Sequence, residues 1–197
     1  MYTTIIAILM ALFPPVFDSA QSACDSQPLT QTTSEIAVLK AFGERVDAYM
    51  KVHNQVEQRL APQRLFDDPE DLFDAMHGMQ AGIRAARRDA RPGSVFTADV
   101  AAVVRDRLQQ RLAVCNYTVE EVLAFLNAER LPAPAPRIND RFPWSVGSAM
   151  WPTLLAVLPP LPEELQYRFV DRDLVLVDIH ANLVVDILED ALAGRKR

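Results

Sequence analysis

Apolar positions follow two rhythms along this chain. Between Leu39 and Leu126 they recur every three or four residues, and from Gln166 to Leu188 they come in short runs separated by turn formers. The first rhythm predicts helices. One seam runs Leu39, Phe42, Val46, Tyr49, His53, Val56, Leu60, preceded by Thr32 and Glu35 at capping-box spacing and ended by Ala61-Pro62. A second runs Leu72, Met76, Met79, Ile83, Ala86, Ala90, opened by Asp68 with Pro69 at the first helical position and stopped by Pro92-Gly93. Two matched seams joined by a short connection predict an antiparallel helical hairpin. Thr97 opens a third helix on Val100, Val104, Leu108 and Leu112, which breaks near Cys115-Asn116. Thr118 and Glu121 box the start of a fourth, carrying Val122, Leu123 and Leu126, and Pro152 can begin a short one over Leu154 and Leu155.

The second rhythm predicts strands. Tyr167, Phe169 and Val170, then Leu174 to Val177, then Leu183 to Leu188 are three runs, with Asp171-Arg172 and Ala181-Asn182 as turns between them. The middle run is apolar on both faces, so the sheet needs a cover, and the helices supply it. The expected fold is α+β, mostly α: an antiparallel helical hairpin, two shorter helices and a small C-terminal three-stranded antiparallel meander.

Prolines and polar stretches divide the chain further. Residues 1–22 read as a signal peptide: Ile5 to Phe17 is apolar but too short to span a bilayer, and Ala20 and Ser22 suit cleavage after Ser22. Residues 1–4 lack the usual basic residue of such segments. Residues 23–33 read as a flexible leader and 34–197 as a single α+β domain. Within it, 34–130 form a helical part, 131–137 a proline strap and 138–190 a C-terminal part with the meander.

The chain has 197 residues, half of them hydrophobic, enough for one domain with a core. A net charge of −6 argues against nucleic acid, whose binding rests on neutralising phosphates. The two cysteines, Cys24 and Cys115, can close one disulfide in an oxidising compartment. Cys24 also stands where a lipoprotein carries its acylated first residue, although Gln21 occupies a position where that signal takes an apolar residue. Two unrelated free thiols are the third reading.

Candidate chemistry is sparse. In an antiparallel hairpin with its centre midway between them, His53 and His77 stand at similar height, with Glu57 and Asp74 one turn away; two imidazoles and two carboxylates suit a transition metal. No HExxH motif accompanies them, and a seam histidine satisfied by a neighbour is the plainer reading. Asp171, Asp173, Asp178 and Asp186 are dense but lack the spacing of a calcium loop. Arg84, Arg87, Arg88, Arg105, Arg107 and Arg111 can hold an anion, yet interleaved with Asp89 and Asp106 they read as a solvated face. Trp144 and Trp151 offer stacking surfaces for a ligand, or apolar anchors for an irregular segment. No Gly-x-Ser-x-Gly elbow, Walker loop or dinucleotide glycine pattern is present, and there are only six glycines, so the reading leans against an enzyme and expects no cofactor.

The block from Leu158-Pro159-Pro160-Leu161-Pro162 through Tyr167-Arg168-Phe169-Val170, Asp173-Leu174-Val175-Leu176-Val177-Asp178 and Val184-Val185-Asp186-Ile187 resembles small exported bacterial proteins of unknown function. In those, a helical region precedes an LPPLPxxLxYRFVxxDLVLxD…NLVVD pattern, and the likeness extends through Val46, Tyr49 and the 84–96 segment. It is also similar, over the strands alone, to the closing hairpin of periplasmic nickel/cobalt-homeostasis proteins, a likeness of strand and turn that carries no metal site. The resemblance implies export and a periplasmic or secreted location. The expected function is a non-catalytic interaction domain whose partner is another envelope protein. The alternatives are a small-ligand or metal-binding periplasmic protein, and a carboxylate-dependent hydrolase of envelope material.

Overall fold

The computed structural model describes residues 24, 28–60, 69–126, 135–144 and 151–193, with backbone only over 69–72. The expected signal peptide, part of the leader and most of the proline strap lie outside the described residues. Those described form α1 (Thr33–Glu57), α2 (Pro69–Ala86), α3 (Ala98–Val114), α4 (Val119–Leu126), α5 (Pro152–Leu155), β1 (Leu165–Val170), β2 (Asp173–Asp178) and β3 (Leu183–Leu188). This is the expected mixed fold, mostly helical with one antiparallel meander.

Local signals place the helix ends. The Thr32 hydroxyl accepts from Glu35 N at 3.2 Å while the Glu35 carboxylate reaches back to Thr32 N, and Thr118 and Glu121 repeat the arrangement ahead of α4. Asn116, at φ 56°, ends the α3 region in the left-handed conformation asparagine tolerates. Two helices stop earlier than their seams suggest. Beyond Glu57 the backbone tightens into three-residue turns, Arg59 N to Val56 O and Leu60 N to Glu57 O, ahead of the proline at 62. Beyond Ala86 it turns through Ala90 N to Arg87 O toward Gly93, whose φ is +85°.

The hairpin of α1 and α2 closes at two glycines. A Cβ on Gly82 would run into Val56, and one on Gly78 would sit 2.8 Å from Leu60 Cδ2. At Gly82 only a bare Cα lets the helices come this close, whereas at Gly78 the end of the Leu60 side chain can swing aside; the two contacts together mark the hairpin register.

The sheet order is β1-β2-β3, with Leu165 opposite Asp178 and Leu174 opposite both Phe169 and Leu188. Asp171 and Asn182 take positive φ at the two turns, where their short polar side chains make that conformation accessible. A bulge in β3 beside Leu176/Val177 shifts its parity, so Val184 faces away from the helices while Val185 and Leu188 face them.

Both faces are buried, as the apolar run requires, but the covers differ. The helices pack on Leu165, Tyr167, Phe169, Leu174, Leu176, Val185 and Leu188. Phe142 packs on the other face with Val170, Val175, Val177 and Val184. Its segment runs along the outer edge of β3, Asn139 N to Val184 O at 2.9 Å and Val184 N to Asp140 O at 3.0 Å. The helices are therefore only half of the cover.

Most of the arginines that read as a solvated face bind backbone carbonyls instead. Arg84 donates to Asn139 O, Arg87 to Val185 O, Arg105 to Glu189 O and Arg107 to Val157 O, while Arg88 stays exposed beside Asp89. Arg111 donates to Cys24 O, beside the Cys24–Cys115 disulfide, whose Cα atoms are 5.2 Å apart. A Cys24 sulfur in that bond has no thiol left for acylation. Among the described residues, no helix is long and apolar enough to cross a membrane.

Candidate metal centre

Asp178 closes β2 after four apolar residues and is completely buried. A carboxylate in that position needs partners. Oδ2 accepts from Tyr49 Oη at 2.5 Å and lies 2.6 Å from His53 Nδ1, and Oδ1 accepts from Ala181 N at 2.8 Å. Tyr49 and His53 are one turn apart on the buried seam of α1, so a single stretch of helix grips the carboxylate. Arg87 stands over the Tyr49 ring, 4.9 Å from its centroid.

These contacts fix the electrostatics. Burial would raise the Asp178 pKa, but the hydrogen bonds from His53, Ala181 and Tyr49 outweigh it and hold the carboxyl below its ordinary value. Burial would lower the His53 pKa, but Asp178, with Glu57 and Glu164 behind it, carries it above the ordinary value. Tyr49 is pushed well up, first by burial and then by the Asp178 charge.

The other nitrogen of His53 is the informative atom. Nε2 is buried and has no hydrogen-bond partner among the described residues. Glu57 lies one turn further along α1, and His180 sits exposed in the β2–β3 turn with its ring centroid 5.8 Å from that of His53. His53, Glu57 and His180 each offer one ligand atom, all within 4.8 Å of one another. A tetrahedral ion with ~2.0–2.1 Å bonds wants its donors about 3.3 Å apart. No pair therefore has to close by more than roughly 1.5 Å, and His180, one of the three, is exposed.

The sequence pairing of His53 with His77 assumed a hairpin centred midway between them. The Val56–Gly82 and Leu60–Gly78 contacts centre it further along the chain. His53 therefore stands beyond Gly82, and His77 behind Gly78. That separates them by about eight residues of α2, roughly 12 Å at 1.5 Å per residue. His77 and Asp74 are exposed and outside the group, whereas Glu57, weighed beside His53, is in it. His180 had no pattern to reveal it: the chain has three histidines, and only tertiary packing brings this one to the first.

The other candidates disperse. Trp144 donates its indole N–H to Asn182 Oδ1 and stacks under Arg168, whereas Trp151 packs on Tyr117 and Phe125. Among the described residues the two share no ring or hydrogen-bond partner. Asp173 accepts from Asp190 N and Asp186 from Gly93, Val95 and Phe96 N, so these carboxylates staple separate turns. The chain matches no protein-family model, no curated protein and no solved structure.

Proposed function

We propose that this chain is an exported protein that binds a borderline divalent transition ion, Zn²⁺ first, through His53, Glu57 and His180. The observation that carries the reading is the buried Nε2 of His53, without a partner among the described residues, with Nδ1 of the same ring engaged by Asp178. A ligating histidine tied to a carboxylate through its second nitrogen is the usual support of a metal centre. Two imidazoles and one carboxylate favour zinc, copper or nickel over calcium or magnesium, which take oxygen-rich sets. Three protein ligands leave one position of a tetrahedral ion for water or an outside donor.

The test is calorimetric titration of chelator-treated protein with Zn²⁺. One ion per chain is expected, with binding lost in His53→Ala, strongly weakened in His180→Ala and unchanged in His77→Ala. Equal affinity in wild type and His53→Ala refutes the site.

The Cys24–Cys115 disulfide supports export, since such bonds persist in oxidising compartments. A mass matching residues 23–197 less two hydrogens, from the envelope fraction of a bacterial host, is the expected sign. The interaction-module reading keeps a separate support: a groove of about 790 Å³ along β1, between Leu155 and Pro162 on one side and Leu165 to Arg168 on the other. A photo-crosslinker at the exposed Leu155 forms an adduct with an envelope protein on that reading and none otherwise.

A further inference from the structure

We infer that Asp178, which offers no ligand atom to the group, is the positioning residue of this centre, tying two ligands from distant parts of the chain to one carboxylate. The inference rests on the metal-binding reading. It starts from the division of labour between the two carboxylate oxygens. Oδ2 faces His53 Nδ1 at 2.6 Å. For that contact to be a hydrogen bond to a carboxylate, Nδ1 must carry the hydrogen, and the neutral imidazole then presents its lone pair at Nε2. Nε2 is the buried atom without a partner among the described residues. Asp178 thus selects the tautomer that can ligate and leaves that lone pair on the side of the ring turned away from the carboxylate.

Oδ1 does a second job. It accepts from Ala181 N at 2.8 Å, a local bond across three residues that shapes the turn, and the residue just before Ala181 is His180. The exposed ligand therefore hangs from backbone held by the oxygen next to the one that orients the buried ligand. Glu57 needs no such tether, because it shares a helix with His53. Tyr49 also donates to Oδ2 but touches no ligand through it, so its hydroxyl steadies the carboxylate alone. The donors of this arrangement lie within 4.8 Å of one another.

The experiment has two parts. Zn²⁺ titration of Asp178→Asn, its fold checked by circular dichroism, is expected to show one site weakened about 10–100-fold. An amide cannot accept on both sides as the carboxylate does: it either loses the Ala181 bond or turns its NH₂ toward His53 and forces the hydrogen to Nε2. Tyr49→Phe, which keeps both tethers, is expected to bind within about twofold of wild type, small beside the loss ascribed to an orienting partner. The second part is ¹⁵N NMR of metal-free wild type at alkaline pH, where neutral His53 is expected to carry its hydrogen on Nδ1. This decides the matter even where Asp178→Asn does not fold. Wild-type affinity in a folded Asp178→Asn, or a hydrogen on Nε2, overturns the positioning role while leaving the metal site standing. A wild type that takes no zinc removes the centre itself.

Discussion

Placing a methyl group on Gly82 tests the hairpin register on which the candidate site depends. A Cβ there would overlap Val56 Cγ1 and lie 3.2 Å from Cγ2 and 3.4 Å from Cβ. Val56 is buried at 6% exposure, and its branched side chain is held to one rotamer in a helix. The strain must therefore be relieved by moving α1 away from α2. Overpacking of this kind costs roughly 1–3 kcal/mol. Replacing a helical glycine by alanine returns roughly 0.5–1 kcal/mol. Gly82→Ala should accordingly destabilise by about 1–2 kcal/mol, at roughly 2–4 °C of Tm per kcal/mol in a chain of this size. Two glycines calibrate the result. At Gly78 the methyl meets only the end of the Leu60 side chain, 2.8 Å away, which can rotate, so the cost and gain nearly cancel. At Gly43 nothing lies within 4 Å, and alanine should stabilise by about 0.5–1 kcal/mol. Thermal and urea unfolding of the three variants is the assay. Because Val56 stands between His53 and Glu57, Gly82→Ala should also weaken zinc binding. A Gly82→Ala protein as stabilised as Gly43→Ala would refute this packing, and with it the register that separates His53 from His77.

Other consequences follow from single contacts. Arg107→Met strands Glu35, whose carboxylate it holds at 2.9 Å with side chains 10% and 16% exposed, and leaves Val157 O without its 2.6 Å donor. The expected loss is about 3 kcal/mol in urea unfolding, only partly restored by adding Glu35→Met, which removes the orphaned charge but also the carboxylate of the Thr32 capping box and returns no donor to Val157 O. Reducing Cys24–Cys115, which closes a separation of 91 residues, should lower stability by about 2–4 kcal/mol, read as an equal Tm loss with reductant and in Cys24→Ser/Cys115→Ser. In chelated buffer the Asp178–His53 pair gives a stability profile of known sign. Asp178, its pKa lowered, contributes above its unfolded value and loses that contribution as pH falls through the folded one. His53, its pKa raised, contributes fully below its unfolded value and loses that contribution as pH rises through the folded one. The pair therefore stabilises most between about pH 4 and 6.5; Asp178→Asn should lower urea midpoints across that window and remove the fall on its acid and alkaline sides.

The sequence by itself determined whatever depends on neighbours three or four residues away, or on alternation along a strand. The capping boxes at Thr32 and Thr118 are such features, as are the Phe42–Val46–Tyr49–His53–Val56 seam and the turns at Asp171 and Asn182. Each is legible because its cause is local: a helical repeat, an orphan N–H, a short side chain that tolerates positive φ. Tertiary structure alone decided the rest. The hairpin register came from two bare Cα atoms meeting Val56 and Leu60, which no seam records. The inward turn of Arg84, Arg87, Arg105, Arg107 and Arg111 came from carbonyls that other segments left open, and the far face of the sheet from Phe142. The meeting of Tyr49 and His53 with Asp178 spans 129 and 125 residues of chain. It depends on how a helix seam and a strand end are packed together, and an amino-acid pattern read along one dimension carries no trace of that distance.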